Sequence, residues 1–201
     1  MDKRILAIYY SQSGQLGEIV GSFTRPLIEA GADVDTVEIK PAEPYRFPWT
    51  GKRFFDVMPD CVLGNPVELE PFSFKHDSYD LIVLGYQSWF LSPSIPVNSL
   101  LQHPKFRAVL KGTPVITLTG ARNMWLNAFE RVRQSLKDAG ARLVGNLALV
   151  DRHHNAISFV TIFYWLLTGK KDRYLNLFPK PGVADEDIAG MALQGLSLIH
   201  I

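Results

Sequence analysis

Residues 4–10 (RILAIYY) form a continuous apolar run that breaks at a Ser/Gln/Gly turn and passes directly into apolar positions at helical spacing. A strand that is apolar on successive residues must be buried on both faces, which is the situation of a parallel sheet covered by helices on each side. The helical positions are Leu16, Ile19, Val20, Phe23, Leu27 and Ile28, with Glu18 near the amino end, Gly31 placed to close the helix and Pro26 predicted to kink its last turn. Residues 33–39 read as a second strand, and the buried-strand pattern returns at 80–86 (DLIVLGY), 114–119 (PVITLT) and 142–150 (RLVGNLALV). Helical stretches are expected over 97–110 and after Asn123, whose side chain can cap a helix that carries Trp125, Ala128, Phe129, Val132 and Leu136 on one side and ends at Gly140. Five strands alternating with helices predict an α/β fold, a doubly wound parallel sheet in the order 2-1-3-4-5 with right-handed crossovers.

The 201 residues suit a single domain, read as a core over 1–150 and an extension over 151–195. The tail 196–201 (LSLIHI) resembles translated sequencing-adapter read-through, so it is expected to be non-native and the last helix truncated. A net charge of +1 with interspersed signs excludes a nucleic-acid surface, which would need a basic face. The lone Cys61 cannot form an intramolecular disulfide, and the amino terminus carries no signal-like architecture, so a cytoplasmic setting is expected. Residues 41–75 hold six prolines and seven aromatics, too proline-rich for a regular helix beyond a short turn at 50–57, and read as an ordered excursion that packs aromatics. The apolar run at 156–168 falls short of the ~20 residues that cross a bilayer. It reads as a buried helix in preference to an interfacial or partner-facing segment, with peripheral membrane contact and a homo-oligomer left open. A final helix is expected from 185, where Asp185, Glu186 and Asp187 stabilise its amino end.

Chemistry concentrates at the carboxyl ends of the expected strands. The turn Ser11, Gln12, Ser13, Gly14, Gln15 and Leu16 joins a buried strand to a helix start, where backbone N–H groups and hydroxyls suit a phosphate. The plain alternative is an ordinary turn capped by Ser13. No Walker G-x-x-x-x-G-K-[ST] loop is present, and Gly14 and Gly17 do not make a G-x-G-x-x-G fingerprint, so a single phosphate monoester fits better than a di- or triphosphate. In a 2-1-3-4-5 sheet the strand order reverses between strands one and three, bringing this turn to one crevice with the loops at 87–96 and 119–125.

These three loops resemble the flavodoxin-like superfamily. Ser11 to Gly14 match its T/S-x-T/S-G-x-T phosphate loop, with Leu16 standing where the family has a hydroxyl residue. Gln87, Ser88, Trp89, Phe90 and Leu91, and Thr119, Gly120, Ala121, Arg122 and Asn123, occupy the places of its two isoalloxazine loops. The resemblance implies an FMN cofactor with Trp89 beside the ring, packing of Trp89 in core or lid being the alternative. IYYSQSGQL, FPW, GARNMW and WLLTGKK are also similar to flavodoxin-like proteins called dialkylresorcinol condensing enzymes. That likeness implies a place in making lipid-like aromatic rings; no ketosynthase Cys-His-His or Cys-His-Asn arrangement is present and oxidation suits the fold better than condensation, so an oxidoreductase is expected, acting on a quinone-, cyclic diketone- or resorcinol-like substrate, hydrophobic and lipid-tailed, with NAD(P)H a candidate electron donor. The other readings are an electron carrier serving partner proteins and a flavin-free scaffold. Carriers of this family are typically acidic, whereas this chain stands at +1. The catalytic candidates are Arg122, to offset charge on a flavin or bind an anionic substrate group, and His153 and His154, as acid or base. No metal site is expected, since the two histidines lack a helical His-x-x-x-His spacing or cysteine partners.

Overall fold

The computed structural model describes residues 3–122 and 124–200. In chain order the elements are β1 (Arg4–Tyr9), α1 (Gln15–Glu29), β2 (Asp33–Glu38), α2 (Gly51–Leu63), β3 (Leu81–Gly85), β4 (Ser88–Trp89), β5 (Ser92–Pro93), α3 (Ile95–Gln102), α4 (Pro104–Leu110), β6 (Pro114–Ala121), α5 (Leu126–Asp138), β7 (Arg142–Val150), α6 (Asn155–Thr168) and α7 (Asp185–Leu196). β4 and β5 form a small antiparallel hairpin. The other five strands make one parallel sheet, β2-β1-β3-β6-β7, in register from Arg4↔Asp33 and Ile5↔Leu81 onward, which is the 2-1-3-4-5 order expected.

Strand alternation sends side chains to two cores. Leu6, Ile8, Ile82 and Leu84 pack with Leu100, Phe106, Val132 and Leu136 of α3, α4 and α5. Ile5, Ala7, Val83 and Leu118 point the other way, onto Ile19 and Phe23 of α1 and Ile188 and Met191 of α7. α7 therefore joins α1 in covering one sheet face, and Gly195 sits so close to the Phe23 carbonyl that no Cβ would fit. The core packing thus extends beyond residue 150.

Several elements differ from the sequence-based expectation. Residues 51–63 form a full helix, not a short turn: the Thr50 side chain accepts from Arg53 N–H, and Gly64 closes the far end at φ 77°. Pro59 is tolerated because the carbonyl it deprives is that of Phe55, on the solvent face. The helix expected over 97–110 begins at Ile95 and breaks at His103, held extended by Pro104, so two short helices replace one. α1 runs past Pro26 to Glu29, and its Ile28 is exposed. Asn123 lies outside the described residues, and α5 starts later, with Trp125 in the cap position. α6 is not a buried helix: Phe159, Val160 and Leu167 face solvent, while Ser158 and Thr161 are buried.

Candidate functional site

A cavity of about 260 Å³ opens at the carboxyl edge of the sheet, where β1, β3, β6 and β7 end. Ser13, Gln15 and Leu16 bound it on the α1 side; Gln87, Ser88, Trp89 and Phe90 come from the hairpin region, and Gly120, Ala121 and Arg122 from the end of β6. Three loops far apart in sequence thus meet at the strand-order reversal. Of the other candidates, Ser11, Gly14, Leu91 and Thr119 stand beside the cavity without lining it.

The turn before α1 has defined roles. Gly14 occupies the cap position at φ 88°, in the left-handed region. Ser13 does not cap the helix; Ser11 Oγ instead accepts from Gly17 N–H (3.2 Å). Two glutamines act as ties. Gln12 Nε2 donates to the Tyr45 carbonyl (3.2 Å), and its Oε1 accepts from Trp49 Nε1 (3.1 Å). Buried Gln15 donates to the Val183 carbonyl (3.2 Å) and accepts from Val183 N–H (3.4 Å), fastening the approach to α7 beside the turn.

Trp89 lines the cavity and also sits in an aromatic cluster, its ring edge-on to Tyr10, Tyr45 and Trp49 at 5.8, 5.2 and 5.4 Å. The hairpin that carries it turns through Phe90 and Leu91, both at positive φ (48° and 62°). A two-residue hairpin turn demands that backbone, and bulky residues adopt it only under constraint. Part of the constraint comes from α2, where the Cys61 thiol faces the carbonyls of Trp89 (3.3 Å) and Pro93 (3.5 Å). Burial pushes that thiol up to about 12. Burial likewise raises the Tyr10 hydroxyl above its ordinary range.

Both excursions wall the cavity. Phe47, Trp49 and Phe54 come from the proline-rich segment, and Ile162, Trp165 and Leu166 from α6. They are joined by Trp49 N–H donating to the Leu166 carbonyl (2.7 Å), by the Phe47–Trp165 contact (5.9 Å) and by Phe54 against Phe163 (5.6 Å).

Among the described residues, four buried polar atoms of the candidate loops find no hydrogen-bond partner: Gln87 Oε1, Ser94 Oγ, Thr119 Oγ1 and Arg122 Nη1. Arg122 forms no ion pair among the described residues, and its guanidinium lies over the Phe159 ring (5.3 Å). Such groups carry a desolvation cost that a polar ligand can offset. His153 and His154 are exposed and do not line the cavity. His154 caps α6 through Nδ1, and His153 N–H donates to Asp151 Oδ1 (2.9 Å).

Asp151, not among the sequence candidates, does line the cavity, and its second oxygen accepts from Ser158 Oγ (2.7 Å). Its place after the last strand was a signal, because every strand of a parallel sheet ends at this edge. Gly182 and Val183 carried no comparable signal.

The architecture is that of a flavodoxin-like α/β fold. No protein-family model matches the chain, and comparison with curated proteins gives no match. Among solved structures, the chain is similar to a flavoprotein from Lactobacillus acidophilus NCFM in complex with FMN (TM-score 0.56, 19% identity, 73% of this chain and 93% of that one). It is similar to a candidate flavoprotein from Bacteroides eggerthii DSM 20697 (TM-score 0.56, 19% identity, 81% and 99%). It also resembles a flavodoxin from the domain Archaea (TM-score 0.50, 12% identity, 98% and 96%).

Proposed function

We propose that this chain binds FMN and works as an oxidoreductase on a hydrophobic small molecule. The observation that carries the reading is the meeting of a helix-start turn with two loops whose Gln87 Oε1 and Arg122 Nη1 lack partners among the described residues. The residues fit the group. The Gly14 turn and the α1 amino terminus suit a phosphate monoester, with Ser11 and Ser13 as hydroxyl donors, while the engaged Gln12 and Gln15 side chains leave only their backbone. Gly120 is explained by packing and not by a ligand, since a Cβ there would crowd Ile19 and Val183. When bound, the flavin supplies electron transfer between donor and substrate. Arg122 is placed to stabilise negative charge on the ring or on an anionic substrate group.

The cavity, at about 260 Å³, lies just below the ~300–1,000 Å³ usual for ligand pockets. The apolar walls from both excursions favour a substrate-transforming enzyme over a carrier, and a quinone-, cyclic diketone- or resorcinol-like substrate with a lipid tail suits them. NAD(P)H is the donor to test first.

The test is calorimetric titration of the purified apo-protein with FMN and riboflavin. FMN should bind much more tightly, and equal affinities would refute the phosphate role of the turn. Gly14→Val should weaken FMN about tenfold or more through backbone strain, because the space beside Gly14 is open. Gly14→Asn, which tolerates the left-handed region, should lose much less. Anaerobic single-turnover kinetics with quinones and cyclic diketones should show saturable reaction, whereas exchange only with redox proteins would make the chain a carrier.

A further inference from the structure

We infer that the outer face of α6 docks on an anionic lipid surface, placing the mouth of the cavity at the bilayer. The inference goes beyond the redox reading and stands without the flavin. α6 carries no charged residue in its 14 positions. It packs inward through Ser158, Thr161 and Trp165, at i, i+3 and i+7, which are 1%, 0% and 7% exposed. The opposite stripe, at i, i+4, i+7 and i+11, is Ala156, Val160, Phe163 and Leu167, flanked by Phe159; Phe159, Val160 and Leu167 are 50%, 39% and 44% exposed. The helix is thus amphipathic in reverse, with hydroxyls toward the protein and hydrocarbon toward water.

The patch continues on either side. Phe163 touches Phe159 (4.6 Å) and Phe54 (5.6 Å), and Phe54 touches Phe55 of α2, which is exposed. Tyr164 stacks on Tyr174 (4.5 Å), followed by exposed Leu175 and Leu177. A contiguous apolar surface of this kind marks an interaction site.

Charge selects the occupant. Residues 151–195 hold five Lys or Arg and five Asp or Glu, but Asp185 and Asp187 are paired with Lys171 and Arg152, and Asp172 accepts from the Tyr164 hydroxyl. Of the acids, Asp151 is buried in the hydrogen bonds that start the helix. Exposed Lys170, Arg173 and Lys180 follow the carboxyl end of α6 and form no ion pair among the described residues. An apolar helix face flanked by free cations is the pattern of an interfacial helix on anionic lipid, lying in the plane of the surface over about 21 Å. Among the described residues no helix is long and apolar enough to cross a membrane. Ile162, Trp165 and Leu166 of the same helix line the cavity, so a docked α6 places the cavity wall next to the lipid.

The test is co-sedimentation of the full chain with mixed phosphatidylcholine–phosphatidylglycerol vesicles and with pure phosphatidylcholine vesicles. Binding should be strong to the mixed vesicles, weak to the neutral ones, and reduced by salt. The double variant Val160→Asp/Leu167→Asp, outside the cavity, should bind at least about tenfold more weakly with its thermal unfolding midpoint little changed. The second variant, Lys170→Glu/Lys180→Glu, should lose about fivefold per residue toward mixed vesicles only. Equal binding to both vesicle types, or no binding to either, would overturn the inference. So would a concentration-dependent dimer in solution that Val160→Asp/Leu167→Asp abolishes, since the face would then belong to a second copy.

Discussion

α1 and α6 are nearly equal in length, 15 and 14 residues, and both lie beside the cavity, yet they are built on opposite rules. α1 buries Leu16, Ile19, Phe23 and Leu27 against the sheet and turns Glu18, Arg25 and Glu29 to solvent. α6 buries two hydroxyls and shows Phe159, Val160 and Leu167 to solvent. Burial of apolar area holds α1 in place. α6 is held by hydrogen bonds at its start and by Trp165, with its largest apolar surface unused by the fold. The contrast separates a helix made to stabilise the domain from one whose outer face is free for something else.

The largest effect that could break this contrast is a pair of truncations. Phe23→Ala in α1 removes a ring that is 1% exposed and should cost about 3–5 kcal/mol in urea unfolding. Phe159→Ala in α6 should cost only about 1–2 kcal/mol, since a half-exposed ring gives up part of its burial and its contacts with Phe163 and Arg122. Comparable costs would mean that α6 is a core helix after all. Next in size is Asp151→Ala, which leaves Ser158 Oγ and the His153 N–H without their acceptor. The expected loss is about 2–3 kcal/mol, with faster amide exchange through α6 while α1 keeps its protection. Unchanged exchange in α6 would show that the carboxylate does not anchor it.

What was legible in the sequence follows the same division. The inner strands and α1 could be read because buried parallel strands are near-continuously apolar and α1 alternates apolar and charged faces at helical spacing, while edge strand β2 showed only the alternation of Val34, Val37 and Ile39 with polar residues. α6 could not be oriented that way: without a charged residue, its periodicity carries no information about which face is inside. The buried Ser158 hydroxyl makes sense only once Asp151 is known to accept from it, and the Thr161 hydroxyl is satisfied within the helix by the Ser158 carbonyl. α2 was underestimated because Pro59 outweighed Thr50 and Gly64, its two good caps. Eleven of the sixteen proposed cofactor residues line the cavity, since phosphate-type turns and strand ends have local signatures. The ties that shape the cavity had none, because Gln12 to Trp49 and Gln15 to Val183 join residues 37 and 168 positions apart.

A smaller effect concerns α2, whose Cys61 supports the Trp89 hairpin from below. The folded thiol titrates at about 12 against an ordinary 9.0, so its contribution is intact below pH 9 and is lost as pH rises toward 12. The slope from this one group approaches about 1.4 kcal/mol per pH unit. Tyr10 and Tyr86, raised by burial, and Tyr79, raised by burial and by its bond to Asp35, act in the same direction at higher pH. Cys61→Ala removes the thiol, so its stability deficit relative to the parent should shrink as pH climbs above 9. Parallel pH curves for the two proteins would place the thiol outside the buried hairpin contact.

The smallest expected effect is a gain. Leu91 sits at φ 62°, is 42% exposed and does not line the cavity, so its side chain buries only part of its surface while its backbone is strained. Left-handed backbone costs a bulky residue on the order of 1–3 kcal/mol, and glycine gives back about 0.5–1 kcal/mol through the freedom of its unfolded chain. Leu91→Gly should therefore stabilise the protein by about 0.5–1 kcal/mol, seen as a higher urea midpoint at unchanged slope. Phe90→Gly relieves similar strain at φ 48° but gives up the ring contact with Phe54 (4.8 Å), and should yield no gain. The two substitutions together separate strain from packing in the turn. A destabilised Leu91→Gly protein would show that the hairpin does not hold Leu91 in the left-handed region.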